Sequence, residues 1–342
     1  MKLLFTGNYL PDYNRTAIIK KGLAQLGHTV FELPFEKKNK KIAHEIQKLA
    51  KNVDAVFLPC FTHKEVSFAK KHINGKPLIF DPLISRYLTK VYDYKLASPY
   101  SLSAIRNFYR DKTPMQNADL IFCDTKAHRN YFHQTFKIPL DKMQVLYIGN
   151  DFDKFYPLDK TKNKRFVVGF YGGFIPLQGV MTILQAAKAL KHEDIEFKLI
   201  GNGFEYEKAL KFIQDNQLRN VSTPGWLDEE TLHKEICQFD IALGIFGDTL
   251  KSDLVIPNKV YHYASCGLPI INKDSPAIRE IFTKDENILL VEQGFESLAN
   301  MIREVRQNYQ ADIGKRAFEL MRDNYNAKNI AETFTKSIEA LL

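Results

Sequence analysis

The chain has 342 residues, of which 45% are hydrophobic and 26% are charged, and its formal net charge is +8. This balance excludes an intrinsically disordered chain, a collagen-like chain and a disulfide-dense scaffold. Because domains typically hold about 100 to 200 residues, the length favours two domains. The positive charge favours an anionic partner, and a nucleotide diphosphate, a phospholipid surface and a nucleic acid all stay open on charge alone.

Targeting and redox features are sparse. No apolar run approaches the roughly 20 residues that a transmembrane helix needs, and the apolar start at Met1 is too short for a signal peptide. We therefore expect a cytoplasmic protein, with peripheral contact at the inner face of the membrane as an alternative. The cysteines lack the paired spacing of a zinc site, which predicts buried free thiols at Cys60, Cys123, Cys237 and Cys266.

Short β-branched or aromatic runs alternate with segments of helical periodicity along the first half of the chain. This alternation is typical of βαβ units and parallel sheets. The predicted strands span 2–6, 29–33, 55–59, 77–81, 120–124 and 144–148. The predicted helices span 16–26, 42–52, 64–72, 101–116 and 127–136.

The same alternation starts again in the second half, after a polar and basic stretch that Pro157 opens. The predicted strands span 166–171, 196–201, 241–246, 268–272 and 287–291. The predicted helices span 180–190, 206–216, 229–238, 258–265 and 295–308. The sequence thus predicts an α/β protein with a Rossmann-like domain over 1–157, a linker over 158–165, a second Rossmann-like domain over 166–311 and a C-terminal helical segment over 312–342.

Glycine turns follow three segments of the second half. Ligands of open parallel sheets bind beyond the carboxyl ends of the strands, and glycines let backbone N–H groups approach a phosphate closely. The first turn is Gly172-Gly173, followed by Gln178 at a helix start; the others are Gly201-Asn202-Gly203 and Gly225-Trp226-Leu227. A tight βα turn would explain the first of them equally well.

With the block from Pro257-Asn258-Lys259 to Ile271, these turns resemble, in order, the donor-nucleotide domain of the retaining glycosyltransferases of family 4. The block itself is similar to that family's P-S-K-x-x-E-Y-x-A-x-G-x-P-V-I segment, and residues 149–157 resemble the segment that closes its first domain. The resemblance implies the GT-B fold, in which two doubly wound domains face a central cleft. It implies donor contacts at Gly172, Gly173, Gln178, Gly201, Gly203, Gly225, Trp226, Leu227, Pro257, Asn258 and His262.

The chain departs from the family pattern at charged positions. The family's two acidic residues, eight positions apart, are replaced by Leu254 and His262; a neutral His262 could still hydrogen-bond a ribose hydroxyl. The family's Arg and Lys around the first glycine turn are replaced by Gly173 and Gln178. The handling of the donor sugar therefore differs from the usual scheme, and other cations are needed for the diphosphate.

Two cations are candidates for that task. Lys259 lies at the start of a predicted helix, whose N-terminus attracts anions, and Arg15 lies in the loop after the first strand and could contact a phosphate with both arms of its guanidinium. Solvated surface positions would explain both residues without a ligand. We predict donor binding by Arg15 and a catalytic role for Lys259 in stabilising the leaving diphosphate.

Carboxylates supply the second predicted catalytic residue and no metal site. Asp81 ends the strand over 77–81 and could orient an acceptor hydroxyl or act as a weak base, while capping of the loop before Pro82 is the alternative. Asp151-Phe152-Asp153 is only superficially similar to a metal-binding Asp-x-Asp, because it lies in the domain-closing segment, and it is predicted to form a turn. We expect no metal.

Residues 87–112 combine aromatic and basic side chains. Such a mixture suits a peripheral membrane or lipid-phosphate contact, and an ordinary helical cover on the first domain is the alternative. No nucleic-acid recognition module is present. The nicotinamide fingerprint is absent as well, because Gly7-Asn8-Tyr9 lacks its further glycines.

The expected function is transfer of a sugar from a nucleotide-diphosphate sugar, the co-substrate, to an acceptor hydroxyl in glycan or glycoconjugate biosynthesis. The resemblance implies retention of configuration, and neither a metal nor another cofactor is expected. The acceptor could be a glycan, a lipid-linked molecule or a protein. Two alternatives stay open: a catalytically degenerate GT-B protein that binds a sugar nucleotide or glycan, and a GT-B nucleotide-sugar epimerase.

Overall fold

The computed structural model describes residues 1–161, 163–308 and 311–342. Lys162 of the predicted linker, and Tyr309 and Gln310 of the predicted second domain, lie outside the described residues. The chain divides into two compact units, one formed by Met1–Gly149 with Tyr325–Leu342 and the other by Asn150–Asn324. Each unit contains a six-stranded parallel sheet with flanking helices, which confirms the predicted α/β fold of two doubly wound domains.

The first unit contains a sheet whose strands lie in the order β2-β1-β3-β4-β5-β6. Its strands are β1 (Lys2–Gly7), β2 (Thr29–Pro34), β3 (Ala55–Leu58), β4 (Leu78–Phe80), β5 (Leu120–Cys123) and β6 (Met143–Val145). Its helices before the second unit are α1 (Asn14–Gln25), α2 (Lys40–Ala50), α3 (Val66–Lys70), α4 (Leu102–Asn117) and α5 (Lys126–Phe136), with a π-helical turn at Leu88–Asp93. The strand order reverses between β1 and β3, so a ligand crevice is expected at their carboxyl ends.

The second unit has the sheet order β12-β11-β10-β7-β8-β9. Its strands are β7 (Phe166–Tyr171), β8 (Ile195–Ile200), β9 (Val221–Gly225), β10 (Ile241–Leu243), β11 (Ile270–Lys273) and β12 (Leu289–Val291). Its helices are α6 (Val180–Ala189), α7 (Tyr206–Asp215), α8 (Glu229–Ile236), α9 (Leu250–Leu254), α10 (Asn258–Ser265), α11 (Phe295–Gln307) and α12 (Ala311–Asn324). The strand order reverses between β7 and β10, which places the expected crevice at the ends of those two strands.

The last helix, α13 (Ala327–Glu339), belongs to the first unit. Phe334 on α13 packs with its ring centroid 5.1 Å from those of both Phe57 and Phe122. A side chain at Gly22 of α1 would meet the backbone of Ala327, since an ideal Cβ there lies 1.9 Å from its carbonyl oxygen. This close helix contact and the aromatic cluster explain why the end of the chain returns to the first unit.

The structure differs from the prediction at two domain boundaries and contains two elements that were not predicted. The first unit ends at Gly149 instead of at residue 157, and the predicted segment 312–342 divides between the units as α12 and α13. The strand β9 was not predicted because it contains Pro224 and polar neighbours, and an edge strand is where proline is tolerated. The helix α9 was missed because a helix of five residues carries no readable periodicity.

Two smaller predictions are confirmed. All four cysteines are buried and free, and Asp151 accepts a hydrogen bond through its side chain from the Asp153 N–H at 3.0 Å, as expected of a turn. Among the helices of residues 1–161, 163–308 and 311–342, none has both the length and the apolar character needed to cross a membrane.

Candidate functional site

Glycine turns lie at the carboxyl ends of β7, β8 and β9 and bond to one another. The Gly172 N–H donates to the Ile200 carbonyl, and the Gly201 N–H donates to the Gly225 carbonyl, both at 2.9 Å. Gly172 and Gly201 have φ values of +145° and +139°, in the region that favours glycine. The Phe174 N–H, which adjoins Gly203, donates to the Asn202 carbonyl at 3.0 Å. The three turns therefore form one backbone-bonded edge.

We predict that Gly201→Ala destabilises this edge by about 2–4 kcal/mol. An ideal Cβ at Gly201 would lie 2.0 Å from the Gly172 carbonyl oxygen, so backbone must move in addition to the cost of the positive φ. Gly27→Ala is the matched control, because Gly27 has a φ of +75° and no atom within 4 Å of its Cβ position. The control should lose only about 1–2 kcal/mol; equal losses in chemical denaturation would contradict the clash.

Lys259 is a buried cation at the point where the strand order reverses. It lies in the first turn of α10, after the N-cap residue Pro257. Its Nζ lies 3.4 Å from the Gly244 carbonyl oxygen and 3.5 Å from the centroid of the Phe170 ring. The side chain forms no ion pair with any residue that the structure describes, and burial lowers the pKa of its ammonium well below the usual value.

The Lys259 ammonium also lies directly beside the first glycine turn. An ideal Cβ at Gly172 would be 3.1 Å from Lys259 Nζ. A buried ammonium that has only a carbonyl and a ring face for partners is incompletely compensated. The lysine side chain and the N-terminus of α10 therefore favour an anion at the glycine edge.

A second buried lysine, which the sequence analysis missed, contrasts with Lys259. Lys273 ends β11, and its Nζ lies 2.7 Å from Asp253 Oδ1, 2.6 Å from Ser252 Oγ and 2.9 Å from the Gly247 carbonyl oxygen. Its charge is thus fully paired within the protein. Sequence spacing gave no indication of this pair, because Asp253 and Lys273 lie on separate elements.

His262 is held between two aromatic rings. Its ring stacks on Phe155 with centroids 3.7 Å apart, and its Nδ1 lies 2.5 Å from the Tyr171 hydroxyl. Burial, Lys154 and His233 lower the imidazole pKa to about 3, so the ring is neutral at physiological pH. Its Nε2 is buried without a hydrogen-bond partner among the described residues. A neutral His262 can thus offer one nitrogen to a ligand hydroxyl, as the sequence analysis proposed.

The other predicted donor contacts differ in how accessible they are. Gln178 is buried, and its Oε1 has no hydrogen-bond partner in the part of the chain that the structure describes. Trp226 is 58% exposed at the end of β9. Half-buried positions are held by Gly173, Leu227, Pro257 and Asn258. Leu254, at the position of the missing acid, is buried at the end of α9.

The structure joins two residues of the first unit that were predicted for separate tasks. Arg15 Nε lies 2.5 Å from Asp81 Oδ2, and Arg15 Nη1 donates to the Leu146 carbonyl at 2.7 Å. Both side chains are completely buried. The Leu83 N–H donates to Asp81 Oδ1 at 3.1 Å, which is the loop capping considered for Asp81. Arg15 is therefore buried and ion-paired and not a solvated surface cation, and its Nη2 has no hydrogen-bond partner among the described residues.

Three residues of the second unit could hold a metal. The ligating atoms of His233, Cys237 and Cys266 all lie within 4.8 Å of one another, and the three residues are buried. The four-residue spacing of His233, on α8, and Cys237, which follows the helix, was the available sequence indication. The Tyr156 carbonyl occupies part of this cluster, because it lies 2.7 Å from His233 Nε2.

The two six-stranded doubly wound units, the second with a buried lysine at its strand reversal, define a GT-B fold.

Comparisons with known proteins agree with this fold. Residues 165–308, which lie in the second unit, match the family described as Glycosyl transferases group 1. A curated relative, an uncharacterized glycosyltransferase of Methanocaldococcus jannaschii, is 24% identical over 239 residues, and the match covers 67% of this chain and 57% of that relative.

Solved structures share the whole fold. HepE of Anabaena, solved in complex with UDP-glucose, is 16% identical with a TM-score of 0.73, over 99% of this chain and 100% of that one. Sucrose-phosphate synthase of Thermosynechococcus elongatus is 14% identical with a TM-score of 0.77, over 100% of this chain and 99% of that one. At these identities the likeness concerns the fold.

Proposed function

We propose that the protein is a glycosyltransferase that moves a sugar from a UDP-sugar to an acceptor hydroxyl, with retention of configuration. The observation that carries the proposal is the Lys259 ammonium, which is buried beside the Gly172 turn without an acidic partner among the described residues. A diphosphate at this edge would neutralise the positive charge of the Lys259 ammonium. The UDP complex of HepE supports uracil as the base of the donor nucleotide.

In the proposed reaction, the bond between the sugar C1 and the diphosphate oxygen breaks as the acceptor oxygen bonds to C1. The acceptor proton passes to the departing diphosphate oxygen on the same face, so no protein nucleophile is required. Lys259 and the N-terminus of α10 stabilise the negative charge that develops on the leaving group. His262 Nε2 would contact a ribose hydroxyl, and the base would lie near Trp226.

We further propose that the first unit binds the acceptor and that the reaction belongs to glycan or glycoconjugate biosynthesis. Segment 87–112 supports a lipid-linked acceptor and peripheral contact with the inner face of the membrane, because Tyr100 and Leu102 are 95% and 85% exposed in a segment that also contains several lysines and arginines. This surface gives the proposal its preference for a lipid-linked acceptor over a free glycan or a protein.

Titration with nucleotides tests the donor. We expect UDP and UDP-glucose to bind the wild-type protein by calorimetry at least tenfold more tightly than GDP or ADP, because the base contacts add to the common diphosphate contacts. Product analysis with UDP-glucose and an acceptor then tests transfer and its stereochemistry. Failure of every nucleotide to bind would reject the proposed function.

Donor binding should take up protons at alkaline pH. Burial lowers the pKa of Lys259 in the free protein, and a bound diphosphate raises that pKa again, so a proton enters on binding and the affinity falls as the pH rises through this window. Calorimetry above about pH 7.5, where the UDP phosphate is already ionised, in buffers of different ionisation enthalpy measures the uptake. A Lys259→Met variant is the control and should show none; equal uptake in both proteins would contradict the assignment.

A catalytically degenerate sugar-nucleotide-binding protein is the second candidate. The observation that favours it is the absence of charge at Leu254, Gly173 and Gln178, three positions where the family pattern carries charged side chains. Such a protein would bind UDP-sugar and give no transfer to any acceptor, whereas an epimerase would change the sugar without one. Restoring the acid as His262→Glu separates the cases: turnover that appears only in this variant identifies the degenerate protein.

A further inference from the structure

A cavity of about 370 Å³ lies on the first unit. Four cations and no acidic residue line it, namely Lys64, Arg86, Arg106 and Arg110, together with His63, Ser67, Tyr109, Thr113 and Pro114. Arg86 interacts electrostatically with the buried Asp111 carboxylate, and Lys64 with that of Glu65. The four positive charges still outnumber these two carboxylates, which favours a bound anion.

Arg86 and two arginines of α4 supply three of the four cations. Arg86 follows β4, and its backbone neighbourhood is anchored by Asp111, whose Oδ2 accepts from the Ser85 hydroxyl at 2.7 Å and from the Tyr87 N–H at 2.8 Å. Arg86 Nε is buried and has no hydrogen-bond partner among the described residues. Arg106 and Arg110 lie one turn apart on α4. The cavity is therefore built around a rigid donor that still lacks its acceptor.

The exposed side of α4 is apolar next to these arginines. The helix buries Asn107 and Asp111, while Leu102, Ile105 and Tyr109 are 85%, 49% and 57% exposed. The spacing of three and four residues places these three side chains on one face. The helix also buries Ala104, Pro114 and Met115. The exposed apolar stripe suits an apolar partner.

We propose that this cavity binds the diphosphate of a lipid-linked acceptor, with the lipid lying along the Leu102–Ile105–Tyr109 stripe. Guanidinium groups bind phosphate oxygens in pairs, and a diphosphate neutralises more of the fourfold positive charge than a single carboxylate does. The inference rests on the proposed function for the meaning of the ligand as an acceptor. The anion site itself stands on the cavity, and it is distinct from the Lys259 site of the other unit.

Pyrophosphate and geranyl diphosphate are the probes, titrated into a Lys259→Met background so that the donor site does not contribute. We expect both to bind, geranyl diphosphate at least fivefold more tightly. Arg86→Gln with Arg110→Gln should weaken both at least tenfold. Lys112→Gln, on the same helix but outside the cavity, removes one positive charge and should change neither. Ile105→Ser should weaken only geranyl diphosphate.

Three results would overturn the proposal. Pyrophosphate binding that survives Arg86→Gln with Arg110→Gln places the anion elsewhere, and equal loss with Lys112→Gln shows a diffuse charge effect. Binding to phosphatidylglycerol vesicles that needs Arg86 but is not competed by geranyl diphosphate shows a membrane headgroup as the ligand instead. UDP binding to the Arg86 and Arg110 variants should stay unchanged, so failure of this site and failure of the donor proposal are separate results.

Discussion

Lys259→Met should make the ligand-free protein more stable while it weakens donor binding and lowers turnover. The wild-type side chain is buried with a carbonyl and the Phe170 ring as its contacts and no acidic partner among the described residues. Methionine keeps much of the aliphatic length and removes the charge that burial disfavours. We expect a gain of about 1–3 kcal/mol in the free energy of unfolding, by analogy with apolar replacements of buried charges.

The functional loss in the same variant should be large. Removal of a preorganised group that stabilises developing negative charge costs about 10²- to 10³-fold in turnover. UDP affinity should fall at least tenfold. Thermal unfolding without ligand and steady-state kinetics with UDP-glucose measure the two effects, which have opposite signs. A variant that loses stability and activity together would show that Lys259 is a structural residue.

The pH dependence of stability gives an independent check on the same charge. Since the pKa of Lys259 lies below its ordinary value of 10.5 in the folded protein, the unfolded chain binds more protons between the two pKa values. The free energy of unfolding therefore gains a contribution that rises with pH through this window. That contribution should be missing from Lys259→Met.

Lys273→Met is the matched control. It removes an equally buried ammonium, but one that Asp253, Ser252 and the Gly247 carbonyl already satisfy. Its loss should destabilise the protein by about 1.5–3 kcal/mol, because the partners lose a charge-assisted hydrogen bond. The two lysines of one unit should thus respond to the same substitution with opposite signs.

Most of the fold could be predicted from the sequence, because hydrophobic periodicity is visible within short segments of the chain. β1, β7 and α10 lie where the apolar runs predicted them, to within a residue. β9 was lost because its Ser222-Thr223-Pro224 core looks like a loop, and only pairing with β8 makes it a strand. The place of α13 was unreadable for a related reason: an amphipathic helix shows which face is buried, but not which surface covers it.

The candidate site was likewise predictable only in part. The glycine edge and Lys259 were recognisable, because each of their segments is a short, continuous motif that resembles the family pattern. The Phe170 ring beneath Lys259, the stacking of Phe155 on His262 and the Lys273–Asp253 pair are contacts between separate elements. Arg15 and Asp81 are separated by 66 positions in the chain, and no spacing rule connects them. Tertiary packing alone decides whether such a charge meets a ligand or another side chain.

Asp81→Asn should destabilise the protein by about 3–5 kcal/mol, which is the largest effect on stability that we expect. It leaves the Arg15 guanidinium completely buried with the Leu146 carbonyl as its remaining strong acceptor, and an uncompensated buried charge is far costlier than an exposed one. Asparagine keeps the size of the side chain and its acceptor for the Leu83 N–H. Chemical denaturation measures the loss.

The double variant Arg15→Met with Asp81→Asn separates an ion pair from a catalytic base. Once the guanidinium is gone, the neutral amide that replaces the carboxylate no longer leaves a charge stranded, so the double variant should recover a substantial part of the stability lost in Asp81→Asn. Transfer activity measured below the unfolding transition should then return with the fold, because Asp81 bonds to Arg15 and has no exposed surface from which to reach an acceptor. A double variant that is as stable as the wild type but inactive would restore Asp81 to the catalytic role that its position at the end of β4 suggested.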